Sequence, residues 1–219
     1  MIDESQGQKR NKANNAIYLF IIIFAIGTFL LNIKLIGSYN MERKIVLIPM
    51  GAIEGRVLDA LEKDLALKFG RRVERHPPVQ MPADAFHPAR NQYFSSFILQ
   101  KLHALFEDRK KDTFLAVGDV DLYAEGLNFV FGEAEFGGRF AVISITRLRQ
   151  SFYSLAENMD VFMGRAKKEA VHELGHVFGL EHCPDAVCVM HFSNSLLDTD
   201  RKSASFCSRC QARLEKLTR

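Results

Sequence analysis

The hydrophobic residues of this chain recur with two different periods, which predict a mixture of strands and helices. Residues 44–49 (KIVLIP) are short, β-branched and closed by proline and glycine, a pattern that predicts a buried strand. In residues 54–69 the apolar side chains recur every three or four positions, which predicts an amphipathic helix. The chain after residue 43 is therefore expected to begin with a β-α unit.

The same two periods continue towards the carboxyl terminus. Further strands are predicted at residues 71–79, 113–117, 128–131 and 139–146. Further helices are predicted at residues 94–106, 159–180 and 209–217. Strands interleaved with helices favour an α/β fold class.

One apolar run near the amino terminus has a different character. Residues 16–33 contain no charge and a single asparagine, and at about 1.5 Å per residue such a helix comes close to spanning a hydrocarbon core of about 30 Å. The run predicts a transmembrane helix at residues 16–36, behind a polar tail at residues 1–15. The alternatives are a buried core helix, for which the run is long, and a cleavable signal peptide, for which no small-residue cleavage site follows.

The flanking residues leave the membrane orientation open. Three basic residues precede the apolar run and three follow it, so the positive-inside rule returns a tie. Met41 opens a second sequence, MERKIVLIPMG, that is typical of the start of a cytoplasmic protein. The expected organisation is a single-pass membrane protein with a folded domain at residues 41–219, or that domain alone in the cytoplasm if the chain starts at Met41.

Composition and charge narrow the classes of function. The 219 residues are 47% hydrophobic and 25% charged, which is typical of a folded globular protein. Lys and Arg outnumber Asp and Glu by 29 to 26, and a net charge of +3 provides no broad basic field for nucleic acid. Binding through charge alone is therefore excluded, and no nucleic-acid partner is expected.

The segment VHELGHVFGLEHC contains the residues that predict a catalytic metal site. His172 and His176 are four positions apart, so on a helix they project from one face and can bind one metal ion. Glu173 follows the first of them, where a carboxylate can take a proton from a zinc-bound water and deliver it to a leaving amine. Gly179 permits a left-handed turn that returns His182 as a third ligand and leaves one position for water. The alternative is an amphipathic helix whose histidines only pack.

All four cysteines follow this motif, as Cys183-x4-Cys188 and Cys207-x2-Cys210. The spacing resembles a four-thiolate zinc site, which has no open position and is therefore structural. The alternatives are two local disulfides or free core thiols. Between the pairs, Met190 is a flexible thioether that could form an apolar floor beneath the histidines, although a methionine taken alone is more often plain core.

This arrangement resembles the archaemetzincins, a metzincin-clan family of zinc metalloproteases in which a methionine and four cysteines follow the extended zinc motif. The resemblance covers about residues 44–217, because residues 44–51, 119–123, 128–134 and 144–148 also resemble the upstream strands of the family. It implies a compact metzincin-like domain with a mixed twisted sheet, an active-site helix and a C-terminal zinc-bound cysteine loop. The amino-terminal apolar segment departs from the family, whose members are generally soluble.

The resemblance also implies a role for each residue of the motif. It implies a general base, Glu173, and a Met-turn residue, Met190. It implies two Zn²⁺ ions, one catalytic and bound by His172, His176 and His182, and one structural and bound by Cys183, Cys188, Cys207 and Cys210.

The function predicted from these residues is that of a zinc-dependent metallopeptidase. It would hydrolyse peptide bonds by attack of a zinc-bound water that Glu173 activates. A peptide or protein substrate is expected to lie along a sheet edge near residues 128–132, and the membrane is a second partner through the amino-terminal helix. The alternatives are a non-catalytic zinc-binding interaction module and a zinc hydrolase of non-peptide amides, which would use the same residues.

Overall fold

The structure is a computed structural model that describes residues 43–218. Its strands are β1 (Ile45–Met50), β2 (Val73–Arg75), β3 (Phe86–His87), β4 (Gln92–Phe94), β5 (Thr113–Gly118), β6 (Leu122–Tyr123), β7 (Gly132–Ala134) and β8 (Phe140–Ser144). Its α-helices are α1 (Gly55–Phe69), α2 (Ser95–Leu105), α3 (Met159–Val177), α4 (Leu196–Arg201) and α5 (Ser208–Leu217). The transmembrane helix expected at residues 16–36 lies outside the described residues. None of the helices within residues 43–218 has the length and hydropathy needed to cross a membrane.

A five-stranded mixed sheet forms the centre of the fold. Its strand order is β2-β1-β5-β8-β7, with the first four strands parallel and β7 antiparallel to β8 at one edge. A small second sheet has the order β3-β4-β6. The α/β class and the mixed sheet are as expected from the sequence.

Both faces of the main sheet are covered. Ile45 and Leu47 of β1 pack with α1 and α3 in one apolar cluster, whereas Val46 and Ile48 pack with α2 in another. Successive side chains of a strand point to opposite faces, so a strand buried on both sides needs a continuous apolar run. This requirement explains why the run at residues 44–49 shows no alternation of polar and apolar positions.

Three strands differ from the sequence prediction in their extent, and the one predicted at residues 139–146 is limited to Phe140–Ser144. Only Val73–Arg75 of residues 71–79 is a regular strand, because Pro77 and Pro78 lack the N–H groups that a ladder requires. The chain nevertheless continues beside β1, where the Val79 amide donates to the Pro49 carbonyl over 2.8 Å. The strand predicted at residues 128–131 is shifted to Gly132–Ala134, and Val130 makes only an isolated bridge to Leu122.

Helix α3 begins and ends through local contacts. The side chain of Asn158 caps its first turn by accepting from the Val161 amide over 3.1 Å. The helix ends at Val177, three residues before the predicted end, because Gly179 adopts a left-handed φ of 89°. There the Leu180 amide donates to the Gly175 carbonyl over 2.9 Å and the chain reverses.

Candidate metal centre

Three histidines converge on one point beyond the sheet. Nε2 of His176 lies 3.1 Å from Nε2 of His172 and 3.2 Å from Nε2 of His182. The first two histidines share one face of α3, and the turn at Gly179 brings the third back towards them. In tetrahedral zinc coordination, a metal-nitrogen distance of about 2.0–2.1 Å places neighbouring nitrogens about 3.3–3.4 Å apart. The triad therefore fits a zinc ion.

Hydrogen bonds to backbone carbonyls set the tautomers of two of these rings. Nδ1 of His172 lies 2.8 Å from the Val189 carbonyl, and Nδ1 of His176 lies 2.7 Å from the Leu180 carbonyl. A carbonyl oxygen only accepts, so each Nδ1 carries the proton and each Nε2 presents a lone pair. Lone pairs that face one another at 3.1 Å repel, and a shared cation removes that repulsion.

Burial keeps these imidazoles neutral. It lowers the pKa of His172 well below its usual value and lowers that of His176 to about 4. The pKa of the more exposed His182 is lowered for the same reason, with a further contribution from the positive charge of Lys202. Only a neutral imidazole binds a metal, so the surroundings favour the binding form at neutral pH.

Glu173 lies beside the triad without joining it. The carboxyl group is outside the set of converging ligand atoms but lines the same pocket as His172. The backbone of Gly132 on β7 closely approaches this side chain, and a Cβ atom there would lie 2.7 Å from both Cγ and Oε1 of Glu173. Burial raises the pKa of the Glu173 carboxyl well above its usual value, and the negative charge of Glu169 adds to the effect.

The four cysteines form a second compact group. Their sulfur atoms all lie within 4.8 Å of one another, and Sγ of Cys183 is 3.8 Å from Sγ of Cys207. Four thiolates at about 2.3 Å from zinc lie about 3.8 Å apart, whereas a disulfide requires about 2.05 Å. None of the four is in a disulfide. The group therefore fits a second zinc ion better than the disulfide alternative.

Nearby donors contact three of these sulfur atoms, although burial raises the pKa of the Cys188 and Cys210 thiols. A hydrogen bond from the Cys210 amide is the main contribution that lowers the pKa of Cys207 to about 7. The Arg209 guanidinium donates to Sγ of Cys183 over 3.3 Å, and the Cys207 amide donates to Sγ of Cys188 over 3.3 Å. Charged and amide donors of this kind stabilise sulfur ligands that carry negative charge.

Comparison with known proteins identifies the family of this chain. The sequence matches Peptidase family M54 over residues 67–216. The archaemetzincin of Methanocaldococcus jannaschii is 43% identical over 175 residues, which cover 80% of this chain and 94% of the relative. That of Pyrococcus furiosus is 42% identical over 181 residues, with the same two shares. The chain belongs to the archaemetzincins, peptidase family M54.

Solved archaemetzincin structures have the same fold. The Methanopyrus kandleri crystal structure is 36% identical and superposes with a TM-score of 0.71, covering 81% of this chain and 96% of that one. The Archaeoglobus fulgidus structure, which is complexed with malonate, is 38% identical with a TM-score of 0.68 and covers 78% and 99%. The resemblance seen in the sequence is confirmed, and this archaemetzincin is a zinc metallopeptidase.

Met190 of this archaemetzincin lies directly under the metal-binding helix. Its side chain is fully buried, and the Cys183 amide donates to its carbonyl over 2.9 Å. Gly175, between the two helical histidines, makes this packing possible. A Cβ atom at Gly175 would lie 3.0 Å from Cε of Met190 and closer still to its sulfur. The sequence alone did not indicate this requirement for glycine.

Two glycines of the same helix provide a matched test of that contact. We expect Gly164→Ala to raise the free energy of unfolding by about 0.5–1 kcal/mol, since nothing lies within 4 Å of its Cβ position and alanine favours helix. We expect Gly175→Ala to lower it by about 1–3 kcal/mol, because the methyl group overpacks against Met190. Denaturant unfolding of the zinc-loaded proteins measures both changes. An equal gain in the two variants would contradict the proposed packing.

Two further polar residues lie near the triad and were not predicted as site residues from the sequence. Glu169, one helical turn before Glu173, is buried and lines the pocket, and the wholly buried Lys202 lies with Nζ 3.1 Å from its Oε1. Glu169 has the helical spacing of the motif, which is a local signal that could have found it. Lys202 is far along the chain in an irregular segment, and its sequence context contains no comparable signal.

Proposed function

We propose that this archaemetzincin hydrolyses peptide bonds at the histidine triad, with His172, His176 and His182 as ligands of a catalytic zinc and Glu173 as general base. One observation supports this proposal above the others. The carboxyl of Glu173 lines the pocket next to the histidine triad but is not part of the group of candidate ligand atoms. A carboxyl in that position is free to exchange protons with a reacting water.

The chemistry divides between the metal and the chain. When bound, zinc supplies Lewis acidity that polarises a carbonyl oxygen and acidifies water. Glu173 accepts the proton from the attacking water and then donates it to the leaving amine. The carbonyls of Val189 and Leu180 hold His172 and His176 in the tautomer and orientation that ligands require.

The edge of the sheet supports binding of an extended peptide. Strand β7 is the outermost strand next to β8, and residues 128–132 lead into it along one wall of the pocket. An extended peptide can add to such an edge through main-chain hydrogen bonds. We propose that the substrate lies along this wall, with its scissile bond over Glu173.

Zinc analysis together with cleavage of an unbiased peptide library tests this function. We expect stoichiometric zinc and hydrolysis of internal peptide bonds by the parent chain. A zinc-loaded chain that hydrolyses only non-peptide amides would support the amide-hydrolase alternative. A zinc-loaded chain with no hydrolytic activity on either class would support the non-catalytic alternative.

We propose that the four cysteines hold a structural zinc that also supports the catalytic site. His182 and Cys183 are adjacent, so a third catalytic ligand and a first thiolate share one stretch of backbone. His191 Nδ1 lies 2.9 Å from the Cys183 carbonyl, and the Met190 carbonyl accepts from the Cys183 amide. A metal that fixes Cys183 therefore restrains both His182 and Met190, which lies beneath the triad.

Cys210→Ser tests the coupling between the two groups. We expect loss of the structural zinc and a fall of about 10- to 100-fold in affinity for the catalytic zinc or in peptidase rate, as for the loss of an outer support. Stability should also fall, because metal binding contributes to folding. Zinc stoichiometry and peptidase rate are the measurements, with the exposed Ser208→Ala of the same helix as control. Loss of one zinc with parental activity would show that the cysteine group acts independently.

We also propose that residues 16–36 anchor the folded domain to a membrane. The full chain is expected to remain with membranes after high-salt and carbonate washing, whereas a chain beginning at Met41 should be released, because about eighteen apolar residues are strongly disfavoured in water. Fractionation of both chains, followed by amino-terminal sequencing, measures this. Native protein recovered free of membranes with Met41 as its first residue would show that the segment is not part of the mature protein.

A further inference from the structure

The pocket beside the triad is lined by three segments of the chain, and its volume is about 230 Å³. Residues 128–132 line it from one segment, and Phe192, Ser193 and Asn194 line it from another. Glu169, His172 and Glu173 of α3 also line it. A substrate residue that enters this pocket can therefore contact Glu169.

The contacts of Glu169 leave part of its carboxylate available. Oε1 accepts from the Thr199 hydroxyl over 3.1 Å and lies 3.1 Å from Nζ of Lys202. No hydrogen bond between described residues falls on Oε2, although the side chain lines the pocket. One oxygen thus binds the protein behind it, and the other remains available to a ligand.

One polar atom in the pocket wall lacks a partner, and a second polar group lies buried behind the pocket. The Lys202 ammonium does not line the pocket; it forms an ion pair with Glu169 but makes no well-aligned hydrogen bond with any described residue. The hydroxyl oxygen of Ser193, in the pocket wall, is buried and has no partner in the same part of the chain. Buried polar atoms in proteins are nearly always paired, so unpaired atoms at a substrate pocket mark a place for a polar ligand.

We infer that this pocket selects an uncharged carboxamide side chain, asparagine or glutamine, at one of the two substrate positions that flank the scissile bond. This inference rests on the proposed peptidase function. The amide NH₂ would donate to Oε2 of Glu169, and the amide oxygen would accept from the Ser193 hydroxyl. A carboxamide carries an NH₂ donor and an oxygen acceptor on separate atoms and has no charge.

Charge balance argues against charged substrate side chains at Glu169. The negative charge of Glu169 and the positive charge of Lys202 cancel in an ion pair. A lysine or arginine side chain would compete with Lys202 for Glu169, and a carboxylate side chain would face both Glu169 and Glu173, so neither is compensated by that pair. An aliphatic guest would desolvate the carboxylate and hydroxyl without pairing them.

Matched peptides that differ at one residue test the inference. Glutamine, glutamate, lysine and methionine are compared at each of the two flanking positions, using the zinc-loaded full chain and the ratio of kcat/KM values. We expect glutamine to exceed methionine by about 10- to 100-fold at one position, as for hydrogen bonds to a charged group. A loss of folding would lower all rates alike, whereas this ratio reports on the pocket.

Removal of the negative charge of Glu169 provides a sharper test. Glu169→Gln leaves Lys202 as an uncompensated cation, so the preferred guest should change from glutamine to glutamate. The same ranking in parent and variant, or a parent that prefers methionine, would overturn the inference. If Glu169→Gln does not fold, Ser193→Ala decides, because it removes one proposed partner from a partly exposed wall residue. An unchanged ratio of glutamine to methionine in Ser193→Ala would equally overturn it.

Measurements of peptide binding distinguish a failure of this inference from a failure of the proposed function. Calorimetric dissociation constants for the same peptides are measured on zinc-loaded Glu173→Ala, in which no turnover is expected. Preferential binding of the glutamine peptide without any turnover by the parent would contradict the peptidase proposal and support the pocket assignment. Equal binding of all four peptides, with turnover by the parent, would support the peptidase proposal and overturn the pocket assignment.

Discussion

Glu173→Ala is expected to abolish measurable peptide turnover while both zinc ions remain bound. Removal of a positioned general acid-base group typically costs about 10²- to 10⁴-fold in rate. The metal should stay because the Glu173 carboxyl is not among the converging nitrogens of the triad. Peptidase rate and zinc content of the same preparation are the two measurements.

A second glutamate near the motif is the matched control. Glu181 is exposed and lies 3.3 Å from Arg213 on the surface, so Glu181→Ala should keep parental rate and zinc content. Loss of stoichiometric zinc from folded Glu173→Ala would show that Glu173 is a metal ligand. Parental turnover in that variant would remove it from the reaction.

His172→Ala should lose both the catalytic metal and the activity. His172 is buried, its Nδ1 is held by the Val189 carbonyl, and its Nε2 lies 3.1 Å from that of His176. The substitution removes one of three protein ligands and leaves two, which is fewer than catalytic zinc sites use. His176→Ala and His182→Ala should also lower metal content and rate, with a smaller loss of stability for the exposed His182.

A histidine away from the triad controls for general effects. His87 on β3 is exposed and its ring contacts Tyr123, so His87→Ala should retain zinc and rate. Zinc content, peptidase rate and thermal unfolding distinguish loss of a ligand from loss of fold. Full activity in any one of the three triad variants would remove that histidine from the proposed ligand set.

The sequence pattern predicted the structure well where all the informative residues lie within one helix or its end. The spacing of His172 and His176 predicts one helical face, since the helical repeat is a property of the backbone itself. Gly179 predicted the turn that ends α3, because a residue without Cβ adopts a positive φ at little cost. The end of the helix was still misplaced by three residues, because several hydrogen bonds share the last turn.

Short elements were poorly predicted because distant contacts determine them. Helix α4 has only six residues and was not predicted at all. Two ion pairs join α4 and the residue after it to α3. Arg165 pairs with Asp200 over 2.7 Å, and Glu169 pairs with Lys202. Such a helix is too short to be stable by itself, and tertiary packing supplies the missing free energy.

The sequence by itself determined the α/β class, the family, and the two groups of candidate metal ligands with their spacing. Those features depend on the periodicity of single elements and on residue types a few positions apart. Only the tertiary structure decided that Gly132 approaches Glu173, that Gly175 makes room for Met190, and that Lys202 lies behind Glu169. Each of these contacts joins segments far apart in the chain, and their separation and orientation follow from how the sheet, α3 and the cysteine loop pack together.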